Sequence, residues 1–298
     1  MKTLYQGLIS AAMRKYGIPL WLEPYLYKYA KNTDVSTIKQ AISFINVRRK
    51  KGEVTGKYVK LPNGVIFDIR AVVHILNQFY YGVDATAKIS EKWSKEYTDY
   101  DHANFTTHFK KVAAERVKHA RALRNMIEGL GYKIEKPSRE IAAVFSRIAG
   151  LDEWADRLIV TEIILRDAYS RPFGFIFYKV FYPVSPEFMR SLGKIFTSVD
   201  TQGGWAEGEI ERVLNMGALT SEHVLALSEE ILSLVYSSIQ VEMPLAKKAH
   251  IEPEAMLLRD ISVAYPLHTL ADLGVKIDVD KEVQKVVKIS KKGTKKSR

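Results

Sequence analysis

Between Trp154 and Tyr182 the chain reads WADRLIVTEIILRDAYSRPFGFIFYKVFY, and its apolar positions recur with helical spacing. At about 100° per residue, Leu151, Ala155, Leu158, Leu165, Tyr169, Phe173, Ile176 and Val180 all fall within about 60° of Glu162. One carboxylate therefore sits in the middle of an apolar stripe. An ionised carboxylate buried alone is costly, so Glu162 must be neutral, paired with a cation, or bound to a metal.

The same periodicity predicts helices at about 70–97, 102–130, 152–182, 186–216, 221–242 and 253–273. Gly129, Gly131 and Pro137 close the second of these, and Ser185-Pro186-Glu187 is a cap followed by an N1 proline that opens the fourth. Pro172 should kink the third. Four helices of this length would each run roughly 40 Å at about 1.5 Å per residue, the scale of a long bundle. Residues 1–50 read as shorter helices. Between them and the bundle, GKYVKLPNGVIFDI carries β-branched and aromatic residues around a Pro62-Asn63-Gly64 turn, which predicts a β-hairpin from about Lys57 to Ile69.

The second long helix adds candidate chemistry. In AAERVKHARALRNMIEGLG, the residues His108, Val112, Glu115, Leu123, Met126 and Leu130 lie within about 40° of His119 on the helical wheel. Glu115 and His119, at i and i+4, thus share an inward face. Two rods each offer the interior a carboxylate, and one adds an imidazole. Metal sites in bundle cores are built from such material.

AERVKHARALRNMIEGLG resembles the second helix of ferritin-like proteins. RLIVTEIILRDAY and YPVSPEFMRSLGKIFTSVDTQGGWAEGEI are similar to the later helices of ferritin-like oxygenases. The resemblance covers residues 70–216 and implies a mainly α protein, an antiparallel four-helix bundle around a dinuclear centre that activates dioxygen. Asp84, Glu115, His119, Glu162, Asp200 and Glu207 are the metal ligands it implies, with iron or manganese as the cofactor. The chain departs from the family pattern at Arg116, where the family has glutamate, and over Asp200-Thr201-Gln202-Gly203-Gly204, where a second Glu-x-x-His would lie. A guanidinium at Arg116 could instead neutralise Glu115 or Glu162 and replace the metal by a salt-bridge network. His108 and His74 read as satisfied core histidines, and Asp167 as a structural partner of Arg166 or Arg171.

Composition changes this picture in two respects. Cysteine is absent from the 298 residues, which excludes disulfides and thiolate metal sites and leaves histidine and carboxylates as ligands. The 45 Lys and Arg exceed the 34 Asp and Glu by 11, and much of the excess is local. One cluster holds Arg48, Arg49, Lys50, Lys51 and Lys57; the other holds Lys285, Lys288, Lys291, Lys292, Lys295, Lys296 and Arg298. Such runs suit a polyanion, RNA or the ribosome, through counterion release, or serve as a solubilising tail. No Walker loop, dinucleotide fingerprint, nucleophile elbow or EF-hand loop occurs.

The expected organisation is an N-terminal helical and β-hairpin subdomain over 1–69, a ferritin-like bundle with appended C-terminal helices over 70–274, and a mobile basic tail over 275–298. The expected setting is cytoplasmic, with no membrane span, and a second copy of the chain is an admissible partner. Two functions remain open: a metal-dependent oxidase or hydroxylase, or a metal-free, non-catalytic scaffold that binds RNA or the ribosome through its basic segments.

Overall fold

The structure, a computed structural model, describes residues 22, 24–25, 53–55, 58–60, 66–96, 103–170, 195, 204–248 and 252–296. It is mainly helical. Three short strands precede the helices: β1 (Glu53–Thr55), β2 (Tyr58–Lys60) and β3 (Ile66–Asp68), in an antiparallel sheet of order β1-β2-β3. Tyr58 faces Asp68, Val59 faces Phe67 and Lys60 faces Ile66, within the span where the sequence predicts a hairpin.

Strand β3 leads directly into α1 (Ile69–Trp93), which packs along α2 (Ala103–Gly129). Two pairings fix their relative direction. Arg124 donates to the Tyr80 hydroxyl at 2.7 Å, and the Trp93 ring meets Phe109 edge-on at 5.3 Å, so as α1 advances its α2 partner recedes. The two helices form an antiparallel hairpin whose seam includes Leu76, Val83, Phe109, Val112 and Leu123.

The segment after α2 is extended and pinned to α1 by buried amides. Asn77 Oδ1 accepts from the Glu135 backbone N–H and Gln78 Oε1 from that of Ser138, each at 2.8 Å. Ser138 then caps α3 (Arg139–Ala149), its hydroxyl accepting from the Ile141 N–H. Ile141, Val144, Phe145 and Ile148 form the buried stripe of α3, and Gly150 ends it. Helix α3 is not among the helices expected from the sequence: Pro137 ends α2 there, whereas it also precedes the Ser138 cap of a new helix.

The third predicted rod begins as α4 (Trp154–Leu158) and continues as two wide π turns, Ile159–Ile164 and Arg166–Ser170. Leu165 N–H reaches the Val160 carbonyl five residues back. Thr161 Oγ1 takes the Arg157 carbonyl at 2.7 Å, and such back-bonding competes with the α-helical ladder. Every residue from Asp156 to Tyr169 is buried, so this rod has no solvent face. Its buried residues include the charged Asp156, Arg157, Glu162, Arg166 and Asp167, which must be paired inside the molecule. Residues 171–203, and with them the Pro172 kink and most of the predicted fourth helix, lie outside the described residues apart from residue 195; a helix, α5, covers 204–215.

The remaining helices close over this rod: α6 (Ser221–Val241), α7 (Met243–Lys248), α8 (Glu252–Asp272) and α9 (Val279–Lys296). The stretch Ser221–Lys247 is long and apolar enough to cross a membrane, yet 56% of its apolar window is buried within the molecule, where it packs on α3, α8, α9 and the π turns. The segment expected to be a mobile tail is instead helix α9 from Val279 to Lys296. Val286 and Ser290 are buried, Val279, Val283 and Val287 pack against the core, and Ser290 Oγ reaches the Ser233 carbonyl at 3.1 Å. The lysine content hid a valine stripe of helical period.

Candidate functional site

Helix α2 and the first π turn bring His108 and Glu162 together. Glu162 is 1% exposed, and its Oε1 lies 3.4 Å from His108 Nε2. Among the described residues neither atom has a partner in hydrogen-bond geometry, so the contact is electrostatic. Burial pushes the Glu162 carboxyl up. His108, Arg116 and Arg166 together outweigh burial and hold it below the usual carboxylate range. The carboxylate is therefore ionised and balanced by cations, the second of the three states its burial allowed. His108 is roofed by the Trp205 ring of α5 at 4.9 Å and flanked by Phe109.

The compensating cations are arginines. Arg166, 2% exposed, donates from Nε to Asp167 Oδ1 at 2.8 Å and pairs through Nη1 with Glu207 at 2.6 Å. Asp167, fully buried, also accepts from Thr269 Oγ1 of α8 at 2.6 Å. Arg157 ties the start of the rod to α1: Nη2 meets Glu96 at 2.6 Å, Nε donates to the Leu151 carbonyl, and the guanidinium lies 4.8 Å above the Trp93 ring.

Arg116 differs from these. It is 6% exposed, and its polar contact is a long one, Nη1 to His119 Nδ1 at 3.5 Å. Burial lowers the His119 pKa to about 4, helped by the Arg116 charge, so this imidazole is neutral and presents a lone pair to the guanidinium. Glu162 and Glu115 act on Arg116 through space.

The predicted ligand set is thus dispersed among other duties. Asp84 is bound to Lys88 at 2.6 Å on the partly exposed face of α1. Glu207 belongs to Arg166, His119 faces Arg116, and Glu115 is only half-buried. Asp200 lies outside the described residues. Among the described residues no three His, Asp or Glu side chains cluster as a metal ion would require. His74, which does touch two carboxylates, meets Glu135 with one ring nitrogen and Glu242 with the other, on opposite sides of the ring. Glu162 and His108 supply two donors at most, beside two guanidiniums whose charge opposes a bound cation. The described residues do not fit a dinuclear iron or manganese centre.

Next to the arginines a small cleft opens between α1, α2, α3 and the π turns. Arg116, Arg166 and Gln78 line it together with Phe79, Phe145 and Leu165. Sequence reasoning missed it because α3, which supplies Ile141 and Phe145, was unrecognised.

The basic residues fall into two groups. Arg48 to Lys51, Lys57 and Arg298 lie outside the described residues. Lys285, Lys288 and Lys291 are on the solvent side of α9, with Lys285 engaged by Glu229 and Glu282, and Lys292, Lys295 and Lys296 continue the same helix.

No family model, curated protein or solved structure matches this chain.

Proposed function

We propose that the chain is a metal-free, non-catalytic helical scaffold that binds RNA through its basic segments, with α9 as the ordered part of the contact surface. The α1–α2 hairpin and the buried rod are the material of a ferritin-like four-helix core, read here as a core whose charges are balanced by arginine in place of metal. The observation that carries the reading is the division of labour on α9. Its valines and Ser290 are spent on docking, which leaves Lys288 and Lys291 on a rigid, solvent-facing row. Lysines presented on a helix at fixed spacing bind phosphates as point charges and release counterions. The formal charge of +11 attracts such a partner from a distance.

Fluorescence anisotropy with a labelled single-stranded RNA, titrated over a range of salt, tests this. Binding should weaken steeply with salt, and Lys288→Glu with Lys291→Glu should lower affinity and reduce the log-log salt slope by about one per lysine. An unchanged slope in that variant would remove α9 from the surface. Stoichiometric iron or manganese in the purified protein, lost on Glu162→Ala, would replace the scaffold reading with the metal-dependent oxidase.

A further inference from the structure

We infer that the cleft beside Arg116 is a binding site for a small amphipathic monocarboxylate. The cleft is walled by groups of two kinds. Phe79, Val83, Ile141, Phe145 and Leu165 make most of it apolar, the composition that buries the body of a small ligand. The polar groups that border it differ in how far their hydrogen-bonding capacity is already used, and that difference selects the head group.

Arg166 already has a carboxylate partner at each of its three nitrogens, from Asp167 and Glu207. The Thr86 and Thr161 hydroxyls donate to the carbonyls of Gly82 and Arg157 at 2.8 and 2.7 Å, so neither has a hydrogen to offer an anion. Among the described residues the polar contact of Arg116 is the long approach to His119, which leaves most of its five donors. Gln78 is 4% exposed; its Oε1 is held by the Ser138 N–H, which fixes the amide orientation, and its Nε2 has no partner among the described residues. A buried amide donor left unsatisfied is expensive in an interior, and the Gln78 amide borders the same cleft as the Arg116 guanidinium. A planar fork and one amide N–H match the two oxygens of a carboxylate. They fall short of the donors that a phosphate dianion demands. The carboxylates nearby, Glu162, Asp167 and Glu207, do not line the cleft.

The site rests on the Arg116 and Gln78 geometry and is independent of the RNA reading. The experiment is isothermal titration of the full chain with hexanoate, acetate, hexan-1-ol and hexylammonium. Hexanoate should bind one to one and at least tenfold more tightly than the other three. Arg116→Leu should lower hexanoate affinity at least tenfold. Gln78→Glu, which keeps the acceptor for Ser138 but replaces the donor with a negative charge, should do the same, and it carries the test if Arg116→Leu fails to unfold cooperatively. Equal binding of hexan-1-ol and hexanoate, equal binding of acetate and hexanoate, full affinity in the folded variants, or no hexanoate binding would each overturn the assignment.

Discussion

Glu162 and His108 meet in the interior with Oε1 and Nε2 3.4 Å apart, and neither atom has a hydrogen-bond partner among the described residues. The carboxylate is kept ionised by the combined field of His108, Arg116 and Arg166 against the pull of burial. Removing it leaves the buried Arg116 guanidinium without its main counter-charge, while Arg166 keeps Asp167 and Glu207. Glu162→Ala should therefore destabilise the fold by about 3–5 kcal/mol, the cost of breaking a buried pair from one side. Glu162→Gln, which keeps the volume, should cost less. The sign of the pH effect follows from the lowered pKa: the stabilisation is present above the ordinary carboxylate value of about 4.3 and is lost as pH falls through the folded value. Urea denaturation between pH 7 and 3 should show a steeper acid loss in the parent than in Glu162→Gln. Equal slopes would mean that the carboxylate is not ionised in the fold.

His74 bridges three parts of the chain. Its Nε2 meets Glu242 at the end of α6, and its Nδ1 meets Glu135 in the extended segment after α2. The hydrogen bond to Glu242 is the largest influence. Burial opposes it, the Glu135 bond adds to it, and the imidazole pKa rises to about 9. A raised pKa gives stability that is complete below the unfolded value of about 6.5 and fades as pH climbs through 9. The site is partly open to solvent, so screening reduces its worth to about 1 kcal/mol. An NMR titration should place His74 well above the other histidines, and the stability lost between pH 6 and 10 should shrink in His74→Gln. A His74 midpoint near 6.5 would show that the bridge does not form.

The sequence disclosed the buried rod because its apolar residues are nearly continuous, and it disclosed Glu162 because one acid among them has nowhere else to go. It disclosed the partner less well. His108 and His119 occupy almost the same angle on the α2 wheel, and angle does not tell which of two histidines three turns apart stands level with Glu162. His108 does. The π turns were hidden for a related reason: a wheel drawn at about 100° per residue presumes an α-helical ladder, and the rod departs from it between Ile159 and Ser170. The Ser138 cap and the spacing of Ile141, Val144, Phe145 and Ile148 were legible as a helix, as was the valine stripe of α9. The amides of Asn77 and Gln78 that pin the segment before α3 carry no sequence signal, since each forms its contact about sixty residues away.

Asp167 couples the second π turn to α8. Its two oxygens are divided among Arg166 and the Thr269 hydroxyl, in a fully buried setting. Asp167→Asn removes the charge that Arg166 needs and should cost about 3 kcal/mol. Thr269→Val removes only one charge-assisted hydrogen bond and should cost about 1.5–3 kcal/mol. Because both changes act on one carboxylate, their effects should not add. A double-mutant cycle in chemical denaturation should return a coupling above about 0.5 kcal/mol; simple additivity would mean that the Thr269 contact contributes nothing through Asp167.

Gly82 of α1 faces the ring of Phe145 on α3, and a Cβ built on it would lie 3.0 Å from Cζ and 3.2 Å from Cε2. Two opposed effects bear on Gly82→Ala. Alanine favours the helical backbone by up to about 1 kcal/mol over glycine. Overpacking against a ring held at 5.8 Å by Tyr81 and near Tyr169 costs about 1–3 kcal/mol. The ring is 5% exposed, and a shift away from the new methyl gives up its contacts with Tyr81 and Tyr169, so the steric term should win. Gly82→Ala should lower stability by about 1 kcal/mol net. Phe145→Leu on its own should also destabilise, by leaving unfilled volume. In the double variant the alanine methyl enters that volume, so the helix-propensity gain is no longer opposed and Gly82→Ala should become neutral or stabilising in the Phe145→Leu background. Thermal unfolding of the four proteins measures both steps. The same penalty for Gly82→Ala in both backgrounds would show that the close approach of α1 to α3 is not what excludes a side chain at Gly82.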